Sequence, residues 1–203
     1  MLLAGLVGVL VLLFASDLFY VQTAEINGLR FSRKSEVYRA ANVHGASVFW
    51  VDGQEAAQSI ERLPYVRSAT VHPLLPDKVR IDVVEREPVA VWRVAGQDVW
   101  VDSEGVAMPV ASPLNTMPVL EDRDGSSLGE AKRVDPDLVY NVLTLHRRLP
   151  EAGSLAYDKL HGLNFGLPDG AVVYLGWPED VERQLQELSA LQATLASQGS
   201  LQS

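Results

Sequence analysis

The chain has 203 residues, 47% hydrophobic and 21% charged, with 17 Lys and Arg against 26 Asp and Glu for a formal charge of −9. This balance is that of a folded protein rather than a disordered one, and the scattered basic residues form no stripe for a phosphate backbone, which excludes a nucleic-acid binder. The absence of cysteine removes disulfides, thiolate-bound zinc and thiol catalysis together.

From Met1 to Ser16 there is no charged residue, and Leu2, Leu3, Leu6, Val9, Leu12 and Phe14 give the segment the character of a membrane anchor. At a helical rise of 1.5 Å, residues 1–20 reach about 30 Å, the thickness of a hydrocarbon core. No Lys or Arg precedes Arg30, and Leu13-Phe14-Ala15 puts bulky residues where a signal cleavage site needs small ones, so an uncleaved transmembrane helix is expected rather than a secretory signal or a core helix. A span with no basic flank does not orient itself, which leads us to expect a longer gene product around this chain.

Residues 21–26 read as a strand closed by Asn27-Gly28. A helix is expected after Ser32 as N-cap, with Val37, Ala40 and Ala41 on one side and Gly45 as its stop. Asp52 and Glu55 have capping-box spacing for a second helix carrying Ala56, Ile60 and Leu63 up to Pro64. Strands follow at residues 66–72 and 78–85, the latter alternating Val79, Ile81 and Val83 against Arg80, Asp82 and Val84, so one of its faces packs.

Beyond Glu85-Arg86-Glu87-Pro88 the sequence turns β-rich. Strands are expected at residues 89–94 and 98–101, with Asp102-Ser103-Glu104-Gly105 turning the second toward Val106-Ala107-Met108. Residues 109–132 read as a surface connection in which Val119-Leu120 pairs briefly. Asp135-Pro136 starts a helix with Leu138, Val142, Leu145 and Leu149 inward, ended by Pro150. Strands are expected again at residues 159–165 and 171–175. A last helix begins at Pro178 and places Val181, Leu185, Leu188, Leu191 and Leu195 in one stripe. The resulting class is α+β.

Catalytic motifs are weak. Gly125-Ser126-Ser127-Leu128-Gly129 fits a nucleophile elbow by letter, but Glu121-Asp122-Arg123-Asp124 precedes it where a buried strand belongs, so Ser127 is expected in a polar turn. Asp158 and His161 follow in triad order with nothing to bring them onto Ser127. His44, His72, His146 and His161 are dispersed and expected at surfaces or turns, and the acids from Glu121 to Asp124 do not complete a calcium loop. Trp50, Trp92, Trp100 and Trp177 are expected in the core before any stacking role. No catalytic residue, cofactor site or metal site is assigned.

The combination of an apolar span with Ile26-Asn27-Gly28-Leu29, Ser35-Glu36-Val37, Gly45 and Phe49-Trp50-Val51-Asp52, Leu63-Pro64-Tyr65-Val66, Pro76-Asp77-Lys78-Val79-Arg80-Ile81 and Glu85-Arg86-Glu87-Pro88-Val89-Ala90 resembles the FtsQ family of cell-division proteins, also called DivIB. The likeness continues through Val101-Asp102-Ser103-Glu104-Gly105 and from Leu167 to Gly176. It implies a transmembrane helix at residues 1–20, a β-α-α-β-β POTRA domain at 21–88, and at 89–203 a mostly antiparallel β domain with two helices. It also implies a non-catalytic protein of the cytoplasmic membrane, N-terminus inside, whose outer domains bind FtsB and FtsL at the septum and help control assembly of the division machinery and septal peptidoglycan synthesis. A POTRA protein handling unfolded or outer-membrane substrates is the alternative, for which repeated units or a long run of barrel strands would be expected. In the family a further strand follows the last helix and carries partner contacts, whereas this chain closes on Gly199-Ser200-Leu201-Gln202-Ser203. The neighbouring Ala171, Val172, Val173, Tyr174 and Leu175, with Trp177, are therefore the expected partner edge, with weak affinity and some self-association where that edge is uncovered.

Overall fold

In a computed structural model of the chain, the described residues are Gly5, Gly8, 17–112, 117–129, 132–150, 154–167, 170–177 and 181–199. Of the expected membrane span at 1–20 only Gly5, Gly8 and 17–20 are described, and its end departs from a continuous helix, Asp17–Phe19 forming a short 3-10 turn and Tyr20 bridging Ser47. Leu2, Leu3, Leu6, Val9, Leu12 and Phe14 lie outside the described residues, and no described helix is long and apolar enough to cross a membrane. The chain divides into two compact units, Met1–Arg86 and Glu87–Ser203.

The first unit runs β1 (Thr23–Asn27), α1 (Lys34–Ala41), α2 (Gly53–Ile60), β2 (Val66–Leu74) and β3 (Lys78–Glu85), in the sheet order β1-β3-β2. Strand β3 lies parallel to β1 and antiparallel to β2. Val79, Ile81 and Val83 point inward as their alternation requires, and Val37, Ala41, Ala56 and Ile60 cover them from the two helices. Asp52 Oδ1 accepts the N–H groups of Gln54 and Glu55 at 2.9 and 3.0 Å, the start that its spacing predicts, but α2 stops at Ile60, short of Leu63.

Helix α1 departs from its expected caps. Its N-cap is Arg33, not Ser32, and no side chain caps it; it ends with Asn42 in the left-handed region, ahead of Gly45. Glu85 at the end of β3 organises the approach instead, accepting the N–H groups of Arg30, Phe31 and Ser32, each at 2.7 Å. Burial raises the Glu85 pKa, but the donors of Ser32, Phe31 and Arg30 outweigh burial and leave it lowered.

In the second unit, β4 (Pro88–Val94), β5 (Gln97–Asp102), β6 (Ala107–Pro109), β7 (Val119–Asp122), β8 (Leu155–Asp158), β9 (Gly162–Gly166) and β10 (Val172–Gly176) form one sheet in the order β10-β9-β8-β7-β4-β5-β6. Most pairs are antiparallel, but β7 runs parallel to both β4 and β8. The two helices are α3 (Pro136–Arg148) and α4 (Val181–Gly199). Val139, Val142 and Leu145 of α3 and Val181 of α4 join Trp92, Leu120, Leu163 and Phe165 of the sheet in a continuous core. The inward line of α3 is thus shifted, since Leu138 and Leu149 are only half-buried. The expected strand at 159–165 begins only at Gly162, as β9, after a turn, and β8 precedes it where no strand was expected. Asp158 Oδ1 accepts the N–H groups of Leu160 and His161, turning the chain between β8 and β9.

Candidate functional site

Strand β10 ends the sheet. On one side it pairs antiparallel with β9, setting Val172 against Gly166, Val173 against Phe165 and Tyr174 against Asn164. On its other side there is no strand among the described residues. Successive side chains of a strand point to opposite faces. Val173 and Leu175 accordingly pack on the core, while Val172 and Tyr174 are 50% and 57% exposed. Such an edge offers main-chain donors and acceptors for an added strand, and alternate side chains select which strand it takes.

The edge is held by its neighbour. Gly162 of β9 has φ +68°, and a Cβ there would overlap the carbonyl of Gly176, so only glycine lets the end of β10 come this close. His161, in the preceding turn, lies with its ring 5.4 Å from that of Tyr174. Its Nδ1 meets Asp158 Oδ1 at 2.8 Å, and the His161 backbone N–H, first among several donors, holds the Asp158 pKa below its ordinary value. Trp177, 62% exposed just past the strand, borders a concavity of about 220 Å³ with Asp135, Asp137, Leu138, Asn141, Tyr157 and Gly176. The six residues expected at a partner edge, Ala171, Val172, Val173, Tyr174, Leu175 and Trp177, lie on or beside β10, which ends the sheet among the described residues. Sequence reasoning missed the site role of Gly162 and His161, for which the turn-like spacing of Asp158 and His161 was the available signal, and the acidic wall of the concavity, Asp135 and Asp137, for which there was none.

The opposite end of the sheet is closed. Ala107 of β6 donates its N–H to Lys132 O at 3.0 Å, Val134 N–H donates to Gly105 O at 2.8 Å, and Val106 bridges Arg133 between them. Residues 132–134 thereby run beside Gly105 to Ala107, at the start of this short strand. Gly105, at φ +79°, permits the approach, because a Cβ there would overlap the Val134 carbonyl.

The motif around Ser127 has a structural occupation. Ser127 Oγ donates to Asp122 Oδ2 at 2.5 Å and accepts Trp92 Nε1–H at 2.8 Å. Asp122 also accepts the backbone N–H groups of Gly125 and Ser127, and it is buried, 2% exposed, within the segment expected as a surface connection. The turn closes over a core tryptophan. Trp92 and Trp100 are core residues as expected, whereas Trp50 and Trp177 are not, at 80% and 62% exposure. All four histidines are exposed, and among the described residues no cluster of His, Asp and Glu is arranged to hold a metal ion.

Comparison with known proteins gives both units relatives. Residues 19–86 match the family model described as a POTRA domain, FtsQ-type, and residues 90–202 match that of the cell division protein FtsQ/DivIB, C-terminal. The cell division protein FtsQ of Chloroflexus aggregans is 31% identical over 188 residues, 88% of this chain and 68% of the relative. That of Streptomyces collinus is 30% identical over 202 residues, 94% of this chain and 76% of the relative. That of Corynebacterium glutamicum is 30% identical over 135 residues, 62% of this chain and 61% of the relative.

Proposed function

Because the chain belongs to the FtsQ/DivIB family of cell-division proteins, we propose that it is a non-catalytic septal scaffold whose second unit accepts a strand of a division partner along β10. The partners are of the FtsB and FtsL type, and their binding helps control assembly of the division machinery and septal peptidoglycan synthesis. A segment within residues 1–20, ahead of the Phe19–Val21 pairing with the first unit, anchors it by a single pass in the cytoplasmic membrane, N-terminus inside, with both units outside. The observation carrying this reading is the outer side of β10, where Val172 and Tyr174 stand in solvent at the end of a sheet whose other end is covered. Ala171, Val173, Leu175 and Trp177 complete the proposed contact. Edge pairing needs main-chain hydrogen bonds and shaped apolar contacts, not a reactive group.

Titration of the full chain in lipid nanodiscs with the extracytoplasmic segments of FtsB and FtsL tests it. The doubly substituted Val172→Lys, Tyr174→Lys chain is expected to bind at least ~10-fold more weakly, about 1.4 kcal/mol, because charge on both outward positions opposes an incoming apolar strand. Equal binding by the two chains, or no binding by either, overturns the proposal.

A further inference from the structure

Trp50 is the most exposed tryptophan among the described residues, at 80%, and follows Phe49, at 46%, in the loop between α1 and α2. A tryptophan carries one of the largest apolar surfaces of any side chain, so one left in solvent marks an interaction surface more often than a smaller residue does. The loop is tied to the lead-in from the N-terminal segment. Val21 N–H donates to Ala46 O at 2.9 Å, Gly45 N–H to Val21 O at 2.9 Å and Val48 N–H to Phe19 O at 2.8 Å, while Tyr20 bridges Ser47 antiparallel.

Antiparallel pairing fixes the direction. As the loop advances from Ala46 to Val48, its partners go back from Val21 to Phe19, toward the uncharged run that ends at Ser16. Phe49 continues along this line, its ring 5.2 Å from that of Phe19, and Leu18 beside it is 57% exposed. The chain then turns, Trp50 N–H donating to Ser47 O at 2.9 Å, so Trp50 sits in the same turn that holds Phe49 against Phe19. Tryptophan is enriched where a bilayer meets water, because its ring is apolar while its N–H keeps a polar partner. The acids nearby, Asp52 and Glu55, oppose an anionic surface, and Asp52 already accepts the N–H groups at the start of α2.

We propose that the loop carrying Phe49 and Trp50 is a membrane-interface wedge, seated in the headgroup layer of an electrically neutral bilayer and holding the first unit against the surface it emerges from. This rests on the anchoring within residues 1–20 stated above. A single pass leaves a domain free to swing; a second contact on the same surface limits that motion.

The test uses the full chain reconstituted in phosphatidylcholine vesicles, part of whose lipid is brominated near the headgroup end of the acyl chains. Trp92 and Trp100 are fully buried, so bromine quenching reports Trp50 and Trp177. Quenching is expected in the unmodified chain, retained in Trp177→Phe and largely lost in Trp50→Phe; bromine near the methyl ends quenches less, and raised salt changes nothing. A chain that floats with the vesicles yet shows no quenching, or shows equal quenching in Trp50→Phe, overturns the wedge and leaves the anchor standing. A chain that does not float overturns the anchor and the wedge with it.

Discussion

Residues 132–134 pair with Gly105 to Ala107 at the start of β6, at one end of the seven-stranded sheet, whereas at the other end β10 presents Val172 and Tyr174 to solvent. Both ends depend on a glycine with positive φ whose missing Cβ admits a backbone carbonyl, Gly105 facing Val134 and Gly162 facing Gly176. The construction is alike and the outcome differs. At Gly105 the approaching carbonyl belongs to a segment that covers the edge, and at Gly162 to the edge strand itself. An exposed edge is therefore not what folding leaves by default here, since the same device closes the opposite side.

The largest expected effect comes from breaking that device at each end. Gly105→Ala and Gly162→Ala each place a side chain in the left-handed region, at about 1–3 kcal/mol, and add a backbone overlap, so each should lose about 3 kcal/mol or more in chemical denaturation. Their consequences should diverge: Gly105→Ala lifts residues 132–134 and increases self-association in sedimentation, while Gly162→Ala displaces β10 and reduces partner binding. Identical behaviour of the two variants would end the distinction between the edges.

A smaller effect sharpens it from the surface. Tyr174→Lys alone changes an exposed side chain, so stability should hold within about 0.5 kcal/mol while self-association falls, as read by size exclusion. Loss of stability well beyond that figure would show that Tyr174 belongs to the core and not to the edge.

The smallest effect is in pH. Asp124 has its pKa lowered from 3.8 to about 2, first by the Ser126 side chain and then by the N–H groups of Lys159 and Ser126. A depressed pKa means that its contribution is complete above the ordinary value of 3.8 and is lost as pH falls through about 2. Protection of the Lys159 amide in the β8–β9 turn, measured by hydrogen exchange, should decline over that window and be flat at neutral pH. Asp124→Asn should remove the dependence.

Much of the first unit is legible because its strands bury one face. The alternation of β3 names its inward residues one by one, and Asp52 caps α2 as its spacing predicts. In the second unit β8 was missed for the opposite reason. Leu155 and Ala156 are both buried between two neighbouring strands, so the segment shows no alternation. The parallel pairing of β7 with β4 and β8 joins segments distant in sequence and leaves no local mark. At the candidate site, five apolar residues in a row locate a strand but do not say which side faces out; the pairing of Val173 with Phe165 decides that. Ser127 lies in a turn as its context predicts, but the polar letters around it did not show that Asp122 is buried there, next to a core tryptophan.

Closure of the β6 side also sets a valence. A sheet that can be extended at both margins is a monomer for an endless fibre, whereas one extendable at a single margin is a chain terminator. Among the described residues β10 is the open margin, so under the proposed mode two copies meeting along it would use that margin and stop at a pair, and one captured strand would exclude a second. With residues 132–134 in place, the proposed pairing would be a one-to-one event, competitive with self-pairing and unable to propagate.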